Sequence, residues 1–199
     1  MELRTYILIH SMQPQFAALT GILLQGDVPV EGMAEVFMEL APASDVYEVL
    51  DAALKTADVR PGLLRVEREY GTLEIHSAFQ EAVQVAGQNA LARFGLTESD
   101  RMTPEVVSVK MVSKVNPYEA QLVNQTSRGG LLLAGQTLCV MEIAPAAYVW
   151  LAANEAEKAA NITLVNYQPS GRYGRLYIAG RDSDVRVGQE AAVQAIKSI

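Results

Sequence analysis

Residues 37–43 read FMELAPA and residues 140–146 read VMEIAPA, so one apolar run ending in Ala-Pro-Ala recurs 103 positions further along. A junction stated twice restricts the chain to folds that two copies of one unit can build. The register holds well beyond the junction. At the same offset Glu2 meets Glu105, Pro14 meets Pro117, Leu19 meets Leu122, Gly26 meets Gly129 and Gly32 meets Gly135. It continues through Val46/Val149, Lys55/Lys158, Ala57/Ala160, Tyr70-Gly71/Tyr173-Gly174, Leu73/Leu176 and Ile75/Ile178. About a quarter of the aligned positions are identical, and a duplication explains so long a register where chance does not. With 199 residues, each copy has the length of a small domain.

Each copy carries the same order of elements. ELRTYILIH and EVVSVKMVSKV are β-branched, partly alternating runs and read as strands. A helical stretch from Pro14 to about Leu24 and a glycine-containing turn follow in the first copy. AEVFMELA and QTLCVMEIA are apolar enough to be buried central strands, and the prolines that follow, Pro42 and Pro145, suit the first turn of a helix. Val46, Val49, Leu50, Ala53 and Ala57 keep helical spacing, as do Val149, Ala153, Ala156 and Ala160. Two strands around EREYG and SGRYG come next, then helices at about 79–93 and 183–197. The order predicts an α+β protein of two ferredoxin-like domains, at 1–96 and 105–199, joined by a linker at 97–104.

Composition excludes several functions. Half the residues are hydrophobic and a fifth charged, as in a globular chain. A net charge of −7 argues against nucleic-acid binding, which needs a basic stripe to displace counterions. No run approaches the roughly 18 apolar residues of a membrane span. The lone Cys139 rules out an internal disulfide and suits a reducing cytoplasm. Chemistry is equally scarce. His10 and His76 have no carboxylate or cysteine at triad or ligand spacing, and Cys139 sits mid-strand, where a free thiol packs as a small hydrophobe. No catalytic, metal or cofactor-binding residues are expected.

The second copy becomes specific between residues 154 and 196. Lys158-Ala159-Ala160-Asn161-Ile162, the small loop Ser170-Gly171, and Gly180 with Asp184-Val185 together resemble the core of a bacterial microcompartment shell domain. The first copy fits less closely, as Lys55-Thr56-Ala57-Asp58-Val59. ELRTYI and EVVSVKMVSKV open their copies, whereas in common single-domain members such a strand closes the domain. That order is similar to the circular permutation of the tandem-domain, trimer-forming shell proteins. Residues 66–76, of the pattern VER-x-x-G-x-LE-x-H, point the same way. Ser11 and Lys114 stand where such proteins often carry an arginine.

The resemblance implies a structural shell tile in the cytoplasm, a pseudohexameric trimer with a central, gated pore. It implies association with hexameric and pentameric shell proteins, and small metabolites as pore traffic. Glu67 and Arg68 in the first copy, and Ser170 and Gly171 in the second, fall in the loops that would line the pore. Gly71 would lend the first loop backbone freedom to switch. Lys55 and Lys158 would lie on the tile edge. Some relatives hold an iron–sulfur cluster through a pore-loop cysteine, but Ser170 occupies that loop here, so no cluster is expected. A regulatory protein that binds a small molecule between tandem ferredoxin-like domains is the competing reading. Sheet formation would separate the two.

Overall fold

The computed structural model describes residues 1–199 and divides into two compact units, Met1–Met102 and Thr103–Ile199. Unit 1 contains β1 (Glu2–Ile9), α1 (Pro14–Leu23), β2 (Ala34–Ala41), α2 (Asp45–Leu54), β3 (Arg60–Glu67), β4 (Tyr70–Ser77) and α3 (Gln80–Ala92). Unit 2 repeats the order with β5 (Glu105–Val112), α4 (Pro117–Thr126), β6 (Thr137–Ala144), α5 (Val149–Ala159), β7 (Thr163–Gln168), β8 (Gly174–Gly180) and α6 (Asp182–Lys197). Each unit forms one antiparallel sheet, ordered β1-β2-β4-β3 and β5-β6-β8-β7.

Period-two alternation explains which helices each sheet face meets. In β2, Val36, Met38 and Leu40 join Leu73 and Ile75 of β4 in a core closed by Val46, Val49 and Ala53 of α2 and Val83, Ala86 and Ala90 of α3. Glu35, Phe37 and Glu39 alternate with them and face the other way, as do Glu74 and His76. In unit 2 this second face carries Leu138, Val140, Tyr177 and Ala179, which pack with Ala120 and Val123 of α4. The first helices are covered unequally. Helix α1 buries Phe16, Ala17, Leu19 and Thr20, whereas α4 buries only Ala120.

Two expectations change. The prolines do not open helices: both Ala41-Pro42 and Ala144-Pro145 are cis bonds at the strand ends. Helix α2 starts at Asp45, and in unit 2 a short 3₁₀ turn at Ala146–Tyr148 precedes α5. Second, part of the proposed linker returns to unit 1. The Met102 N–H donates to the Arg4 carbonyl, and Thr97 and Asp100 close a capping box around the 3₁₀ turn Glu98–Asp100.

Candidate functional site

The two β-hairpin loops that the sequence singles out have different builds. Strand β3 ends at Glu67, which pairs with Tyr70 at the start of β4, so Arg68 and Glu69 form a two-residue turn. Glu67, Arg68 and Glu69 are all exposed. Arg68 has φ +56°, the left-handed region, where a side chain costs roughly 1–2 kcal/mol that glycine avoids. Its counterpart in the repeat is Gly171, with φ +99°. Unit 2 therefore meets the same backbone demand with glycine, in a longer loop between Gln168 and Gly174 where Ser170 and Gly171 are also exposed.

Behind these loops lie ion pairs that join neighbouring strands. The Arg4 guanidinium sits 3.8 Å above the Tyr70 ring and its Nε donates to Glu39 Oε1 at 2.8 Å, joining β1, β2 and β4. Burial pushes the Glu39 carboxyl up, against the pull of Arg4. In unit 2 Arg175 Nε donates to Glu142 Oε1 at 2.9 Å. These recurrent glutamates are thus held in ion pairs. Gly71 does not act as the expected hinge. It pairs with Leu40 and Val66 inside the sheet, and a Cβ there would collide with the Ala43 carbonyl, as one at Gly174 would with the Ala146 carbonyl. Glycine is needed at both positions for close approach of the strand to the Ala-Pro junction.

Lys55 is the C-cap of α2 and pairs with Asp51 at 2.7 Å; Lys158 lies in the last turn of α5, 3.6 Å from Glu155. Their side chains are 68% and 63% exposed, so each keeps a charged head at the surface beside a helix C-terminus. His10 is exposed and Cys139 is buried, its thiol pushed up by burial to about 11. No group of three or more His, Cys, Asp or Glu side chains is placed to hold a metal ion.

Sequence reasoning missed one cluster. His76, read as having no carboxylate or cysteine at triad or ligand spacing, is 1% exposed and lies within hydrogen-bond reach of two carboxylates. Its Nδ1 lies 2.9 Å from Glu74 Oε1 and its Nε2 lies 3.0 Å from Asp27 Oδ2, with Arg60 Nη1 3.4 Å from Asp27 Oδ1. The i, i+2 spacing of Glu74 and His76 puts both on one face of β4, a signal the sequence does contain.

Comparison with known proteins matches the geometry to a family. The chain fits the CsoS1D N-terminal domain over residues 3–100 and the BMC domain over residues 137–199. It belongs to the bacterial microcompartment shell proteins, in their tandem-domain, permuted class, and is a structural tile of a shell rather than an enzyme. The chain is 42% identical to the carboxysome shell protein CcmP of Synechococcus elongatus, over 100% of this chain and 93% of that one. The fused permuted hexameric shell protein MSM0275 from the RMM microcompartment superposes with a TM-score of 0.96 at 38% identity, covering 100% and 98% of the two chains. The double ringed trimeric shell protein MSM0271 from that microcompartment gives 0.95 at 36% identity, covering 100% and 97%.

Proposed function

We propose that three copies of this chain form a ring of six domains around a central pore, and that Glu67 and Arg68 line it with Ser170 and Gly171 flanking them. One observation carries the assignment. Arg68 occupies a backbone conformation that its aligned partner fills with glycine, and strain of this kind persists where a side chain is wanted at a particular place. The turn lifts three exposed charges, Glu67, Arg68 and Glu69, off the end of the hairpin. On a threefold axis, three guanidinium groups repel unless each finds an acidic partner, and Glu67 and Glu69 are adjacent in sequence. Rearrangement of the turn alone exchanges which charge faces the opening, while the Arg4 contacts with Glu39 and Tyr70 hold the strands behind it together.

In this reading small metabolites pass the pore, Lys55 and Lys158 sit on the tile edge, and hexameric and pentameric shell proteins are the lateral neighbours. Two such rings stack, as in the double ringed relative. A crystal structure of the assembled trimer tests the arrangement, together with one of Arg68→Ala, expected to have a constitutively wider opening. Glu67 and Arg68 on the outer perimeter would end the pore assignment. A discrete oligomer that never forms sheets, with a small molecule bound between domains, would favour a regulatory role.

A further inference from the structure

The loop between α1 and β2 is tied to β3 by backbone bonds from Gln25 and Gly26 N–H to the Gly62 carbonyl and from Asp27 N–H to the Pro61 carbonyl. Asp27 also reaches the His76 ring, and beyond it the loop presents Val28 and Val30, both more than half exposed. The polar accounting under this loop is unusual. Both His76 ring nitrogens face carboxylate oxygens, while Glu74 Oε2 accepts from the Gly62 N–H at 3.0 Å. A neutral imidazole offers one donor and one lone pair, so against two carboxylates one contact would be repulsive. The geometry is satisfied only when the His76–Glu74 pair holds one extra proton. That proton sits on the ring as imidazolium or on Glu74 donating to Nδ1.

We propose that this proton acts as a clasp: while it is held, the 24–28 loop of unit 1 stays docked on β3, and its loss as pH rises releases the loop and re-poses Val28 and Val30. Glu35 lies opposite His76 on β2, Arg60 opposite it on β3 and Asp27 in the loop, while α1 contributes no titratable side chain. Burial alone would push the His76 ring down, but hydrogen bonds and charges from Glu74 and Asp27 outweigh it and hold the ring above its ordinary range. Burial likewise raises Glu74. The His76 hydrogen bond, with help from Arg60, lowers Asp27, so the outer contact survives into acid below the usual carboxylate range. Because the folded ring titrates above its unfolded value, its stabilisation is complete below about pH 6.5 and is lost as pH rises through the folded value.

Unit 2 is a built-in control. Its equivalent loop makes the corresponding backbone bonds, from Gly129 to the Val165 carbonyl and Gly130 to the Leu164 carbonyl, but its side-chain ties are neutral. They run from Ser127 Oγ to the Val165 carbonyl and from Asn166 Nδ2 to the Thr126 carbonyl. Hydrogen exchange of the full assembled protein at pH 7 and pH 9.5, corrected for intrinsic rates, tests the proposal. Protection at Gln25, Gly26 and Asp27 should fall at least tenfold, while Gly129 and Gly130 change less than twofold. In Asp27→Ala, which removes the contact outright, the first loop should already be poorly protected at pH 7, and His76→Gln should abolish the pH dependence. If His76→Gln does not fold, the Asp27→Ala result stands alone. Equal changes in both loops, or none in the first, overturn the clasp. So does an imidazole NMR titration in which His76, one of only two histidines in the chain, loses its proton at or below pH 6.5.

Discussion

The second face of each sheet offers a comparison made position for position by the repeat. Unit 1 places Glu35, Phe37, Glu74 and His76 where unit 2 places Leu138, Val140, Tyr177 and Ala179. Asp27, which completes the charged cluster, is replaced by Gly130. Burying charge is costly unless every member is paired, and apolar residues of similar size often serve stability as well or better. Two copies of one architecture took these two courses and kept the same strand order. The charged cluster is therefore not a requirement of the fold. What it adds is a set of proton-sharing contacts, where unit 2 has the packing of Tyr177 and Ala179 against α4.

The neutral copy has a different consequence. Between α4 and strands β7 and β8 lies a cavity of about 280 Å³, lined by Leu122, Val123, Thr126, Val165, Asn166 and Tyr177. Leu19 is 1% exposed, but its partner Leu122 is 64% exposed. Helix α1 reads PQFAALTGIL and α4 reads PYEAQLVNQT, so Phe16 becomes Glu119 and the apolar stripe is broken.

Substitutions made in matched pairs break or sharpen this comparison. The largest effect should come where the copies agree: Gly71→Ala and Gly174→Ala each drive a methyl into a backbone carbonyl, at a cost of at least about 4 kcal/mol. Urea unfolding should show both variants severely destabilised. A mild effect at either would mean that the strand can move away from its junction. Next, Leu19→Ala should cost about 2–5 kcal/mol and Leu122→Ala less than about 0.5 kcal/mol. Equal losses would show that assembly covers Leu122.

Smaller is the turn pair. Arg68→Gly should stabilise by about 1 kcal/mol and Gly171→Ala destabilise by a similar amount, read as opposite shifts in melting temperature. If Arg68→Gly melts lower than the parent, contacts of the guanidinium outweigh the backbone strain. Smallest in stability are Lys55→Ala and Lys158→Ala, each within about 0.5 kcal/mol. Electron microscopy should nonetheless show weakened lateral sheets, more so for Lys158. Unchanged tiling by the double variant would make both ordinary surface charges.

The sequence disclosed what the copies share and little of what separates them. AEVFMELA matches β2 residue for residue, and Pro14 marks the start of α1, because apolar runs and prolines act locally. The alternating apolar and polar residues of Leu73-Glu74-Ile75-His76 were also visible, yet their meaning depends on Asp27, 49 residues earlier, folding back onto the same face. Gly71 misled for a similar reason. Its strand position makes it a spacer against the Ala43 carbonyl, which no local pattern predicts. Comparing copies by identity draws the eye to residues under common constraint, and the clasp lies wholly outside that set.

The Arg–Glu pairs behind the hairpins also differ between the copies. Glu39 and Glu142 occupy matching positions, but Glu39 takes its arginine from β1 and Glu142 from β8. The positions matching Arg4 and Arg175 hold Val107 and Thr72. The acid thus recurs in both copies, and they differ in which side of the central strand supplies its arginine. A form lacking both arginines would leave a carboxylate that in Glu39 is 3% exposed with no counter-charge, a heavy penalty. Exchanging one arginine for the other costs less when the new one is installed before the old one is lost, through a form whose glutamate is flanked by a guanidinium on each side.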